Sequence, residues 1–494
     1  MEEICAMLKR SFLIPHQLRA YRKLFIPFTF IVVATVALAG CAGTTTTSQN
    51  ASTQASTSCT RSVPVSGDAA LAAATSAAQA GDCLLLSNGT YKASSFTISG
   101  PVQISAQNPL KAVISAGTMT LTGSHKVIQG LTFTGTANVA LNDCVNCRVT
   151  RSFFKNTKGD AIHLSGNNDD ANRIDHNEFG PMPQKAHYID VGGGTVLAKN
   201  TQIDHNYFHD HARYVNGADT ITLGGVGGVS GDIQNAHSII EFNLFVRCNG
   251  ENEMIENKSS GNIIRYNTVL ETNGAISLRA GNNVSVYGNF VFGKGVAGSG
   301  GIRMWGDNHL IYDNYIDVQS FSIFVGAGDA AAPGAHFALH NPHIFNNTFI
   351  SEGESAVNLG VGGHKIGPDN MIFANNIAQS SHGPVIRLGP AAPTNPTYAN
   401  NIVNPLPGAT AGITATAGQW QVVDPKLTHD AVGVSEPASG SPAIQAGSNA
   451  YASVVTEDIF GRTRTSPPDI GAVQSGSGGA RHPLALAEVG PTAP

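Results

Sequence analysis

The chain has 494 residues, only 13% of them charged, with 55 glycines, 24 prolines, two tryptophans and a formal net charge of −5. That profile suits strands and turns better than long helices. It also excludes the general positive field by which proteins hold nucleic acid, so a polyanionic substrate would need a local positive site.

From the N-terminus, Lys9, Arg10, Arg19, Arg22 and Lys23 form a basic segment, and Phe25 to Ala37 (FIPFTFIVVATVA) is apolar. The run ends in Leu38-Ala39-Gly40-Cys41, a small-residue cleavage pattern with a cysteine at the junction. This resembles the bacterial lipoprotein signal, which implies a signal peptide over 1–40 and a lipidated Cys41 as mature N-terminus. The polar, low-complexity residues up to 60 read as a tether. The expected location is the bacterial cell envelope, with membrane attachment only through Cys41. Removing 1–40 leaves 24 basic against 32 acidic residues. Of seven cysteines, Cys59 and Cys83 flank the first structured segment and suit a disulfide in an oxidising compartment. Cys144 and Cys147 form a C-x2-C with no second pair, which favours a buried or disulfide role over zinc.

Asp68 to Ala80 reads as a short helix, with Asp68 as N-cap and Gly81 as the stop. No long amphipathic helix follows. Short apolar alternation, an asparagine and an aromatic or aliphatic residue recur instead, as RIDHNEF at 173, QIDHNYF at 202, IIEFNLF at 239 and IIRYNTV at 263. The asparagines fall at 177, 206, 243, 267, 289, 314, 347, 376 and 401, with a floor of 22–25 residues between them. Such spacing predicts an all-β solenoid, a single-stranded right-handed parallel β-helix, one coil per repeat. The short N-terminal helix would cap one open end. The asparagines are expected to be structural, stacking from coil to coil. The β-helix is placed at 61–474, its last stretch from 424 closing the other end, and 475–494 is expected to be a disordered tail.

One segment stands out in this sparingly charged chain: residues 251–260, ENEMIENKSS. Glu251 and Glu253, two apart, would project to the same face of a strand, where like charges call for a cation. Lys258 is followed one coil later by Arg279 in GAISLRAG, and one coil further by Arg303 in GGIRMWG. Carboxylates beside stacked cations suggest a site for an acidic polymer. HNYFHDHARY brings His205, His209 and His211 together, but the spacing fits no zinc motif and none is expected.

The series E-x-E-x4-K, LR-x-G and GGIR resembles polysaccharide lyase family six, the chondroitinase B-like β-helix enzymes, many of which are alginate lyases. The resemblance implies Lys258 as catalytic base, Arg279 as second catalytic residue, Arg303 as a substrate contact, and calcium held by Asn216, Glu251 and Glu253. It implies β-elimination on an acidic polysaccharide, alginate first. The alternatives are a chondroitin or dermatan sulfate lyase, or a non-catalytic polysaccharide-binding β-helix. No protein partner is expected. Two positions depart from the family pattern: Ala280, where many members carry histidine, and Glu256, where a small or hydroxyl residue is common.

Overall fold

In a computed structural model, the structure describes residues 59–92, 96–98, 102–225, 234–329 and 336–494. The expected signal peptide, Cys41 and most of the expected tether lie outside the described residues. Among those described, no helix is long and apolar enough to cross a membrane.

Each coil contributes three short strands, and equivalent strands pair in parallel with those of the coils before and after. The first sheet has 14 strands and ends at Thr397–Ala399; the second, also of 14, ends at Trp420–Val422; the third has 12, from Phe96–Ile98 to Ile386–Leu388. This is a right-handed parallel β-helix, as the repeat spacing predicts. Strands of three to five residues suffice because alternate side chains turn inward to one continuous core. On the second sheet the inward positions stack Phe133, Phe154, Phe179, Phe208 and Phe245, with ring centroids 4.7–4.9 Å apart. Trp420 packs against Phe373 at the C-terminal end of this core.

The asparagine ladder is present from end to end. All nine residues are buried, and each side-chain amide from Asn177 to Asn376 donates to the carbonyl oxygen of the next ladder residue at 2.9–3.2 Å. The ladder satisfies the corner between the first and second sheets, where the backbone cannot continue either pairing. The residue before each rung takes a left-handed conformation, for example His176 (φ 52°), His205 (φ 53°), Phe242 (φ 52°) and Tyr266 (φ 56°).

The N-terminal helix, α1, spans Asp68–Ser76 with Gly67 as its N-cap. It is shorter than expected, and the Asp68 carboxylate accepts from the Lys92 amide instead of capping. Cys59–Cys83 and Cys144–Cys147 are disulfides, and Cys248 is a buried thiol.

Two expectations about the C-terminal region do not hold. Residues from 424 onward lie against the outer face of the second sheet, where Val434, Ile459, Phe460 and Val473 pack on Phe290, Phe292, Tyr315 and Ile350. Those four sheet positions point outward and are apolar because they are covered. The segment 475–494, expected to be disordered, runs back along the corner of the coils. Arg151 donates to the carbonyls of Pro491 and Ala493, the Gly490 amide donates to His205, and Val489 and Ala493 are buried.

Candidate active site

The charged residues gather on the third sheet, across five neighbouring strands: Ile189–Val191, Ile221–Gly224, Glu253–Lys258, Ala275–Ala280 and Ile302–Met304. Thr222, Glu256, Ser277 and Arg303 are direct partners in successive coils, so their side chains form one outward row. The register slips between Asn257 and Lys258, and Lys258 then pairs with Ala280, next to Arg279. Buried Asn257 holds this bulge by donating to the carbonyls of Ser259 (2.8 Å) and Ala280 (2.9 Å). The extra residue is Arg279, on the Ala275–Ala280 strand, while Glu256 and Lys258, two apart, share the outward face. Gly224 makes room for Lys258: its φ is 94°, and a Cβ there would lie 2.4 Å from the Lys258 carbonyl oxygen.

Lys258 Nζ is 2.5 Å from Glu256 Oε2. Glu256, the charge that the motif left unassigned, is therefore the lysine's partner. Burial raises its carboxyl above the usual range, as does Asp219, while Lys258 and Arg279 oppose the rise. Arg279 is half-buried in the next coil. Arg303 is tied to Glu253 through its guanidinium, and its Nε donates to Ser277 Oγ at 3.0 Å; Ser277 in turn donates to Glu253 at 3.1 Å. The guanidinium also lies 5.6 Å from the Trp305 ring.

The ligand set predicted from sequence needs one correction. Asn216 is exposed in a turn, where its side-chain oxygen accepts from Lys185 at 3.4 Å. Asp219, three residues on and 2% exposed, is the residue that faces the glutamates. Single carboxylate oxygens of Asp219, Glu253 and Glu256 lie within 4.8 Å of one another. Glu251 adjoins the same group: burial and the neighbouring Asp219 push its carboxyl up to about 8. Asp219 Oδ1 is buried with no hydrogen-bond partner among the described residues. Four clustered carboxylates with an orphaned oxygen fit a hard cation that takes oxygen ligands, as calcium does. On the far side of Asp219 lies His187, whose ring nitrogens are 3.1 Å from Asp160 and 3.5 Å from Asp219. Burial opposes its charge, but these carboxylates outweigh burial and push it up to about 10.

His205, His209 and His211 do not converge. His209 pairs with Asp210 (2.8 Å) and Glu178 (3.2 Å), His211 is buried in the core, and His205 stacks on the corner.

Residues 65–415 match the family model described as chondroitinase B. The chain belongs to that family, polysaccharide lyase family six. Among solved structures, the family-six alginate lyase AlyGC superposes with a TM-score of 0.68 at 24% identity, covering 77% of this chain and 56% of its own. This chain thus spans little more than half the length of AlyGC. A mannuronic acid-specific family-six lyase from human gut microbiota gives a TM-score of 0.62 at 25% identity, covering 70% of this chain and 86% of its own. A family-six alginate lyase in complex with a trisaccharide gives 0.61 at 19%, covering 77% and 91%. No curated protein sequence matches the chain.

Proposed function

We propose that this family-six chain is a lyase that cleaves a uronic acid polymer, alginate foremost, by β-elimination. The observation that carries the reading is the meeting on one face of a half-exposed lysine, a cation in the next coil and a buried carboxylate cluster. In the reaction the C5–H bond breaks, the pair forms the C4=C5 double bond, and the C4–O4 bond breaks. Lys258 Nζ takes the C5 proton. For that it must act as the neutral amine, and Glu256, 2.5 Å away, holds it in position. The guanidinium of Arg279 scarcely deprotonates, so it stabilises charge on the leaving oxygen, which is protonated from water. Arg303, fixed by Glu253 and Ser277, positions the acid cluster from the opposite side.

Calcium held by Asp219, Glu251 and Glu253 would neutralise the uronate carboxylate that otherwise opposes loss of its α-proton. The alginate reading is supported by the family and by the substrate classes of the solved neighbours. Dermatan sulfate, the alternative, is tested beside it. The mature chain is incubated with polymannuronate, polyguluronate and dermatan sulfate, and the ultraviolet absorbance of the unsaturated product is followed. A rise on an alginate block is expected, abolished by chelation; no rise on any of the three polymers overturns the reading. Envelope anchoring through Cys41 is the second part of the proposal: a labelled fatty acid should enter the expressed chain and be absent from Cys41→Ser.

A further inference from the structure

The charged row of the third sheet continues past Arg303 into two coils that carry longer connections. The strands Ile323–Gly326 and Val357–Val361 are each followed by a loop longer than those after Lys258 and Ala280. The two loops are tied together: the Gly328 amide donates to the Ile366 carbonyl at 2.8 Å, and the Ile366 amide returns a bond at 2.9 Å. The Asp329 amide donates to the His336 carbonyl at 2.7 Å. These ties gather Asp329, His336 and His364 into one half-buried group, with a polar atom of each within 4.8 Å of the others.

The group lies against the charged site. Arg279 and Trp305 directly follow the paired residues Leu278 and Met304, so they hold the same place in neighbouring coils. The Trp305 indole is buried, and its Nε1 donates to the Ala327 carbonyl at 2.8 Å. His336 rests on that indole with ring centroids 4.4 Å apart, and His364 lies 4.2 Å beyond His336. Two imidazoles thus occupy the place in the row after Arg279. His364 Nδ1 is 2.7 Å from Asp329 Oδ2, which keeps the proton of the neutral ring on Nδ1 and leaves Nε2 as an acceptor. Burial pushes His336 down to about 4, helped by the positive charges of Arg279, His364 and Arg303, so its ring offers one donor and one acceptor. Those arginines disfavour a metal cation beside the rings and favour a uronate.

We propose that His336 and His364 form a specificity subsite for the uronic acid unit beside the scissile bond, reading its free ring hydroxyls. The proposal rests on the uronan-cleavage reading above. An imidazole lone pair calls for an O–H donor. A sulfate or acetyl ester at that place offers only acceptor oxygens and leaves the nitrogen unpaired. The subsite therefore favours a polymer with free hydroxyls over an esterified one. Spacing along the chain hides it, because both histidines lie on loops two and three coils past Arg279.

The test gives the mature chain polymannuronate and polyguluronate, each free and chemically O-acetylated. Acetylation should lower kcat/KM by about tenfold or more. His364→Ala should raise KM on the free polymer about tenfold, leave kcat within about twofold and narrow the gap between free and acetylated polymer. His364→Gln, whose amide oxygen can accept a hydrogen bond, should restore most of the lost affinity, and His336→Ala should raise KM as His364→Ala does. Calorimetry of a saturated alginate tetrasaccharide on the Lys258→Ala chain reads the subsite without turnover. Equal cleavage of free and acetylated polymer, or KM and tetrasaccharide affinity unchanged by both alanine substitutions, overturns the proposal. Tetrasaccharide binding that depends on His364 in a chain that cleaves no uronan overturns the lyase reading instead and supports the subsite.

Discussion

Asn216 and Asp219 are three residues apart, and the fold gives them opposite surroundings. Asn216 sits in an exposed turn; Asp219 sits two residues before the strand Ile221–Gly224, buried beside Glu253 and Glu256 with its Oδ1 unpartnered among the described residues. Asp219→Ala is therefore expected to weaken calcium binding by about tenfold or more, read by calorimetry, while Asn216→Ala leaves it within about twofold. Lys258→Ala should lower kcat by on the order of 10²–10⁴ with the fold intact, since it removes the group that takes the proton in the proposed reaction. Glu256→Gln should also lower kcat, by about tenfold or more, with KM little changed, because its carboxylate holds the amine at 2.5 Å without needing to touch the polymer. The spacing brought Lys258, Arg279 and the two glutamates to one face, and their roles are what the family resemblance implies. It could not separate Asn216 from Asp219, because which residue of a turn faces the strand depends on where the turn ends.

The repeating elements carry the stability. Each ladder asparagine bridges three coils. Asn289, for example, donates to the Ile264 carbonyl at 3.0 Å and to Asn314 at 2.9 Å, and accepts from the Asn267 amide at 3.0 Å. Asn289→Ala leaves these partners buried and unpaired, an expected loss of about 1–3 kcal/mol in urea unfolding. On the outer face of the first sheet, Arg148 grips Asp175. Burial opposes ionisation of Asp175, but hydrogen bonds from Arg148 and His176 overcome it and hold the carboxyl well below the ordinary carboxylate range. A depressed carboxyl stabilises the fold above its unfolded pKa, and that stability is lost as pH falls through the folded value. The melting temperature should thus fall with acidification below about pH 4, and Asp175→Asn should lower it at neutral pH and flatten the acid limb.

At the scale of the molecule, the solenoid divides its surface. The third sheet carries the charged site, the outer second sheet is covered by residues from 424, and the corner is covered by the tail. Ending the chain after Gln474 should therefore expose Phe242 and Tyr266 and lower the melting temperature by several degrees, with uronan cleavage retained at the third sheet. Loss of cleavage with an intact circular dichroism spectrum would contradict that separation.

The sequence by itself determined the coil, because a β-helix repeats one local pattern: apolar alternation sets the inward side chains, and an asparagine at each corner satisfies the backbone. It also placed Lys258 and Arg279, 21 residues apart, in neighbouring coils; their catalytic roles are what the family resemblance implies. Only the tertiary structure decided what crosses coils without a period. The bulge falls at Arg279, Asp219 faces the glutamates in place of Asn216, Glu256 meets the lysine, and the tail closes on two histidines from different coils. The physical reason is that sequence spacing measures distance along the chain, while charge and ligation depend on distance between neighbouring coils. Loops of variable length between the strands erase the simple relation between the two.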